Sequence, residues 1–565
     1  MDAKAQPHPK AQASVGDELL FLPLGGAGEI GMNMNLFGYR GRWLMVDCGV
    51  TFADEQIPGV DVLMPDPGWI VDRASELDGL VLTHAHEDHI GAVPYLWERL
   101  QCPMWATPFT AAVLKRKLQD VGLEDEARIH VLKPGARFRV GESWDIEMVT
   151  LTHSIPEPNA LLIRTPAGTI FHTGDWKLDP KPLIGQPVDE EQLRRIGDQG
   201  VLACVGDSTN VFRAGVAGSE SDVRESLIEL VQRYEKRVVI ACFASNVARL
   251  ETVAAVAKAT KRRAALVGRS LWRIYEAAKE TGYLRDIPPF LSEQEAADLP
   301  RERVLMAATG SQGEPRAALA RIAAGTHPNV ALDPGDTVIF SSRIIPGNER
   351  AINRLHDGLA LLGAEVVTEK DHFVHVSGHP ARDELMQMYQ WIRPRILVPV
   401  HGEARHMMEH EKLGQSMQIP HTIVATNGQM VRLAPGRPEI VDEVPYGRLV
   451  LDGTQLVALD GAVIKERKRM LYNGSAVVTV VLDRKGKLVA DPQLSLYGLA
   501  EEGDERALED AIVEAIEEAL SKLSGGQRND DGAVEEAAFR AIRRTVMDTK
   551  GKKPTTAVHI VRVSP

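Results

Sequence analysis

Cysteine is scarce in this chain. Four occur in 565 residues, Cys48, Cys102, Cys204 and Cys242, widely spaced and with no CxxC pair. That pattern excludes a four-cysteine zinc knuckle and a disulfide framework, and it points to a reduced, cytoplasmic setting. Long apolar runs are lacking too. None approaches the roughly 18–20 residues that a membrane-spanning helix needs, so a soluble protein without membrane contact is expected. Residues 1–18 are polar and carry no apolar signal core, which predicts a flexible tail. Net positive charge is also missing. A formal balance of −13 argues against a protein that coats nucleic acid, yet it leaves a nuclease open, because phosphate contacts need only a local basic groove or a metal.

What is present is ordinary globular material, 44% hydrophobic and 25% charged, in a chain long enough for several domains. Apolar runs at 19–24, 43–46 and 79–83 end in loops rich in glycine and aspartate and read as buried strands. The periodicity turns helical between Pro94 and Leu118, and strands return at 143–151, 160–164, 169–172 and 201–206. Residues 19–215 therefore predict a layered α/β domain with mixed sheets. From 216 to 370, alanine-rich amphipathic stretches (247–259, 272–281) alternate with strands (237–242, 264–267), the texture of doubly wound βαβ units. Strands at 396–400 and 422–425 bring histidines back, so 371–450 is expected to complete the first domain. Residues 451–565 predict a linker and a small α/β domain. It holds a basic stretch at Lys465–Arg469, a strand at 476–482, helices at 504–523 and 533–548 around a flexible segment from Ser524, and a final strand at 555–563.

The densest chemistry is THAHEDHIG at 83–91, directly after an apolar strand. His84, His86 and His89 with Asp88 supply imidazole and carboxylate ligands of the kind that zinc takes, or manganese where carboxylates and water weigh more. One such loop can serve two neighbouring metals, but it cannot close two coordination spheres. His153 in LTHSIPE, Asp175 in FHTGDW and His401 in VPVHGE each follow an apolar strand and are the further candidates.

This ligand set resembles that of the metallo-β-lactamase superfamily. The resemblance implies an αββα sandwich in which one zinc takes His84, His86 and His153, a second takes Asp88, His89 and His401, and Asp175 lies between them. Mn²⁺ or Mg²⁺ could replace or accompany zinc. The long stretch between Asp175 and His401 resembles the β-CASP insertion of the nuclease branch, with Asp207 in GDSTN, His379 in HVSGH and His401 matching its three motifs. PLGGAGEIGMN (23–33), TGSQGEP (309–315) and SSRIIPGNE (341–349) extend the likeness to the bacterial ribonuclease J family.

That likeness implies a ribonuclease working 5′ to 3′ on single-stranded RNA with a 5′-monophosphate end, with added endonuclease activity in mRNA decay and rRNA maturation. Asp88, Asp207 and His379 are its expected catalytic residues, His379 being the general acid held by Asp207. His375, Val376, Ser377, Gly378, His379 and Ser311 are expected to contact substrate, with Gln312 and nearby amides as an anion nest. Arg343, Arg350 and Arg382 are candidate walls of an RNA track. A homodimer or homotetramer and partners in an RNA-degradation complex are implied as well. The glycines of PLGGAGEIG read as a tight hairpin beside the metals rather than a phosphate loop. A DNA nuclease, a small-ester hydrolase or a non-catalytic scaffold could share this frame. Against them stand the histidine at 401, the long insertion and the full set of seven ligands.

Overall fold

The computed structural model describes residues 16–53, 57–345 and 347–563; most of the expected N-terminal tail, residues 1–15, lies outside them. The chain divides into two compact units. One comprises the residues up to Thr51 together with Leu63–Gly447, and the other Phe52–Val62 with Arg448 onward.

The larger unit is built on two sheets. The first has eight strands in the order Glu439–Glu443, Gln429–Ala434, Leu19–Gly25, Met34–Tyr39, Arg42–Val46, Leu77–Val81, Met104–Ala106 and Ile129–Val131. The second has seven: Arg137–Val140, Trp144–Thr150, Asn159–Thr165, Gly168–His172, Ala203–Asp207, Ile396–Val400 and His421–Thr422. Alternate residues of both sheets, among them Phe21, Phe37, Val46 and Val81 from the first and Trp144, Ile163, Val205 and Val398 from the second, interdigitate in one core. On its outer face the second sheet buries Leu162 and Phe171 against Leu193, Ile196, Met388 and Trp391 of helices Glu190–Gln199 and Arg382–Ile392. The architecture is the αββα sandwich, and central strands such as ILVPV are buried along their whole length, as parallel strands covered on both faces must be.

Along the chain, the insertion lies between strands Ala203–Asp207 and Ile396–Val400. Its five strands are all parallel, in the order Arg263–Val267, Val304–Ala308, Val238–Ala241, Thr337–Phe340 and Glu365–Val367, with helices such as Val247–Ala259 on the faces. Crossover connections of this kind place ligand-facing loops at the carboxyl ends of the strands.

Two local expectations are corrected. The stretch 94–118 is not one helical run: helices Val93–Leu100 and Pro108–Val121 flank the three-residue strand Met104–Ala106, too short to leave a period of its own. The segment from Ser524 is not featureless, because Ser524 and Gln527 form a capping box on the short helix Gly525–Arg528.

The smaller unit packs strand Ser475–Leu482 against two helices. Its inward residues Ala476, Val478, Val480 and Leu482 alternate at period two, while Leu508, Ile512, Ile516 and Leu520 of helix Glu505–Ser521 and Val534, Ala538, Ile542 and Val546 of helix Asp531–Lys550 recur every four residues. Ile512 has no exposed surface. Ile512→Ala is expected to cost this unit about 2–5 kcal/mol, read from the urea midpoint of its own unfolding transition; a loss under about 0.5 kcal/mol would contradict the packing described.

Candidate metal centre

Three adjacent parallel strands deliver the site. Gly168–His172, Ala203–Asp207 and Ile396–Val400 run side by side in register, and Asp175, Asp207 and His401 stand at or just beyond their carboxyl ends. Strand Trp144–Thr150 of the same sheet contributes His153. From the other sheet, Leu77–Val81 runs into the loop bearing His84 and His86, and Asp88 and His89 sit in the single turn Glu87–Ile90.

The seven predicted ligands converge in two groups that share Asp175: His84, His86, His153 and Asp175, and Asp88, His89, Asp175 and His401. In the first group His86 Nδ1 lies 3.0 Å from both His84 Nε2 and His153 Nε2. Nitrogens around a tetrahedral zinc at about 2.0–2.1 Å stand about 3.3 Å apart, so this triangle has the size of a coordination face. In the second group His89 Nε2 and His401 Nε2 lie 3.2 and 3.3 Å from Asp175 Oδ2, and 3.7 and 3.5 Å from Asp88 Oδ2.

The donor set fits divalent cations. Burial holds His84 and His153 well below the usual imidazole range and takes His86 down to about 3, so these rings are neutral, the form that ligates. Burial works against ionising Asp175, yet His401, His89 and His379 hold its carboxyl well below the ordinary value. His401 Nε2 is buried and makes no hydrogen bond among the described residues, an orphan that a cation would satisfy.

Groups that the sequence did not single out set the ring orientations. Asp47 follows strand Arg42–Val46 and has no exposed surface. Its Oδ2 lies 2.7 Å from His89 Nδ1 and accepts from Thr83 Oγ1 at 2.8 Å. Thr83 Oγ1 in turn stands 3.0 Å from His84 Nδ1. With the hydroxyl proton committed to Asp47, Thr83 accepts from His84, so one carboxylate fixes the tautomer of two rings and leaves both Nε2 atoms for metal. His153 is set the same way, Nδ1 donating to the Gly378 carbonyl. Asp47→Ala should weaken metal binding about 10–100-fold in a chelator competition; unchanged affinity would remove Asp47 from the site.

Close backbone approach explains two glycines. A Cβ at Gly49 would lie 1.7 Å from the Asp88 carbonyl oxygen, and one at Gly378 would lie 2.5 Å from His153 Cε1. The PLGGAGEIG loop turns between antiparallel strands Leu19–Gly25 and Met34–Tyr39 and pairs Ala27–Gly28 with Gly402–Glu403. The Gly26 carbonyl accepts the His401 N–H at 2.6 Å, which holds His401 at φ +51°, a left-handed conformation that few non-glycine residues adopt.

Beside the ligands, His379 Nδ1 lies 2.8 Å from Asp207 Oδ2 and 3.8 Å from Asp175 Oδ2. Burial opposes its charge, but these two carboxylates raise its pKa to about 9. The HVSGH loop is pinned by Ser377 Oγ, which accepts from Asn210 Nδ2 at 2.7 Å and from the His379 N–H at 3.1 Å. Val376 is buried against Gly218, and half-buried His375 has its Nδ1 buried and unpartnered among the described residues, with its pKa taken down to about 3 by desolvation. Ser311 Oγ is likewise buried and unpartnered among the described residues. Gln312 is not free for an anion. Its side chain bonds the Arg343 carbonyl and the Ile345 N–H, and its own N–H donates to Glu314. Arg382 is committed to Glu409 at 2.9 Å and Arg343 to Glu369 at 3.4 Å, while Arg350 stands exposed.

A second unforeseen group lies behind Asp207. Ser208 Oγ is 2.8 Å from His410 Nδ1, and His410 Nε2 meets the Tyr389 hydroxyl; all three are buried. Ser208 lies in the GDSTN motif, but His410 and Tyr389 stand about 200 residues further along the chain and belong to no dense motif, so only the fold brings the three together.

This frame and site define a metallo-β-lactamase-type hydrolase carrying a β-CASP insertion. Residues 42–193 match the β-lactamase superfamily domain, 235–359 the ribonuclease J β-CASP domain, 363–424 the Zn-dependent metallo-hydrolase RNA specificity domain and 462–563 the ribonuclease J C-terminal domain. The chain is 46% identical to ribonuclease J of Sinorhizobium meliloti, over 97% of this chain and 98% of that one. It is 39% identical to ribonuclease J of Mycolicibacterium smegmatis, over 96% of each. A crystal structure of an Enterococcus faecalis protein of unknown function shares the fold over 74% of this chain and all of its own, with a TM-score of 0.50 at 17% identity. The chain belongs to the ribonuclease J family. It is a metal-dependent nuclease whose substrate is RNA. No helix among the described residues is long and apolar enough to cross a membrane.

Proposed function

We propose that this ribonuclease removes nucleotides from the 5′ end of single-stranded RNA, favours a 5′-monophosphate, and also cuts internally, in mRNA decay and rRNA maturation. The observation that carries the reading is the pair of ligand quartets joined at Asp175, with the Asp207–His379 couple against them. Two divalent ions, zinc in the first instance, fit those quartets. When bound, they supply Lewis acidity toward the phosphoryl oxygens and lower the pKa of water at the site.

The chain's own groups do the rest. His84, His86 and His153, and Asp88, His89 and His401, would hold the cations, with Asp175 available to both groups. His379, with Nδ1 tied to Asp207, keeps Nε2 for the substrate and gives its proton to the leaving oxygen. His375, Val376, Ser377 and Gly378 line the path of the phosphate, and Ser311 offers a hydroxyl not engaged elsewhere among the described residues. Arg213, half-buried and held below the usual guanidinium range by burial and then by the Arg343 charge, adds a cation that the sequence reading did not include.

The domain division proposed is 19–215 with 371–450 for the sandwich, 216–370 for the insertion and 451–565 for the linker and C-terminal domain. A cytoplasmic homodimer or homotetramer that docks with an RNA-degradation complex completes the reading. Single-turnover cleavage of one end-labelled RNA carrying a 5′-monophosphate, a 5′-triphosphate or a 5′-hydroxyl tests it. Mononucleotide release fastest from the monophosphate is expected; equal rates from all three ends would refute the preference.

A further inference from the structure

Three buried polar atoms without a hydrogen-bond partner among the described residues belong to side chains that line one small space beside Asp175. Every imidazole contact of Asp175 runs to Oδ2: His84 at 3.8 Å, His89 at 3.2 Å, His153 at 3.9 Å, His401 at 3.3 Å and His379 at 3.8 Å. Its Oδ1 is buried and makes no hydrogen bond among the described residues. Asn35 Oδ1 and His172 Nδ1 are in the same condition, and their residues are 1% and 3% exposed. Asn35, His172 and Asp175 together line a cavity with about 10 Å³ of room for the centre of a small molecule. Thr173, Gly174, Asn33 and Val400 wrap round it, and His89, His401 and Asp207 complete its wall, so it adjoins the second ligand quartet.

That volume is the size of a single water site, and a buried water needs two to four polar partners. We infer that one ordered water is bound there by Asp175 Oδ1, Asn35 Oδ1 and His172 Nδ1, and that it fixes the plane of the carboxylate whose other oxygen faces the cations. The inference rests on the metal-centre reading. Its hydrogen bonds close without a remainder. Water donates one proton to Asp175 Oδ1 and one to Asn35 Oδ1, and accepts one from His172 Nδ1–H. His172 is neutral, taken down to about 4 by burial, so it carries a single ring proton. Phe37 packs edge-on against its ring, 5.9 Å between centroids, and limits its rotation. His172 and Asn35 are thus positioning residues. Leaving a buried carboxylate oxygen without a donor carries a desolvation cost, and the water removes that cost while tethering the group.

Diffraction from zinc-loaded crystals at a resolution that shows ordered solvent should reveal density within about 2.6–3.2 Å of all three atoms. Asn35→Leu and His172→Phe should each weaken zinc binding by about 10–100-fold in competition with a chromogenic chelator, with the melting transition still cooperative. His172→Asn, which restores a donor, should recover part of the affinity. Density absent from the map, or zinc held as tightly by both folded variants as by wild type, overturns the inference. Wild-type protein that bound no zinc would instead overturn the metal-centre reading itself.

Discussion

His379→Ala is expected to lower the single-turnover rate of RNA cleavage by about 10²–10⁴-fold while leaving bound metal unchanged. Departure of the leaving oxygen needs a proton, and His379 is the ring proposed to give one. Its Nδ1 is committed to Asp207 at 2.8 Å, which orients Nε2 outward. It stands outside the two quartets centred on Asp175 and shares only His401 with them, in a third cluster with Asp207, so both quartets keep all their ligands without it. Asp207→Asn should show a smaller drop of the same kind, because the amide keeps the contact without the charge. Undiminished cleavage by His379→Ala would remove the general-acid role, and loss of metal would reassign His379 as a ligand.

The larger effect is expected from Asp175→Ala. This one carboxylate belongs to both quartets, and its Oδ2 lies within 3.2–3.9 Å of four ligand nitrogens. Without it the imidazoles keep their positions but lose the charge that would hold divalent cations among them. Lewis acidity at a phosphoryl centre contributes several kcal/mol, and each 1.36 kcal/mol is a factor of ten, so a fall of at least about 10³-fold should accompany loss of metal. Elemental analysis of the purified variant beside its cleavage rate checks both. Full metal content would show that Asp175 does not hold the ions.

Legibility in the sequence followed locality. His84, His86, Asp88 and His89 are crowded into six positions after a strand, and a turn that short leaves few places for their side chains to go. His153, Asp175 and His401 were visible because each follows an apolar run, and strand ends are where α/β sites gather. Asp47 also follows a strand, but it has no histidine beside it in the chain; its role appears only when Thr83 and His89 fold against it. The Ser208–His410–Tyr389 group was illegible for the same reason. Gln312 looked like a phosphate contact because loops of small polar residues often are, whereas its amide holds the 343–345 backbone. Residues 52–62 fall with the C-terminal unit rather than with the strands on either side of them, a long-range association that no local pattern encodes.

The order in which the sheets are closed bears on when the site can exist during synthesis. Strand Leu19–Gly25, among the first elements made, pairs with Gln429–Ala434, and Ile396–Val400 takes an interior place in the second sheet before presenting His401. A growing polypeptide therefore exposes the early histidines without their last ligand, and long loops must close before the native contacts reward them. Until His401 and the strand ending at residue 434 have been made, the second quartet lacks a ligand and strand Leu19–Gly25 lacks one of its two neighbours.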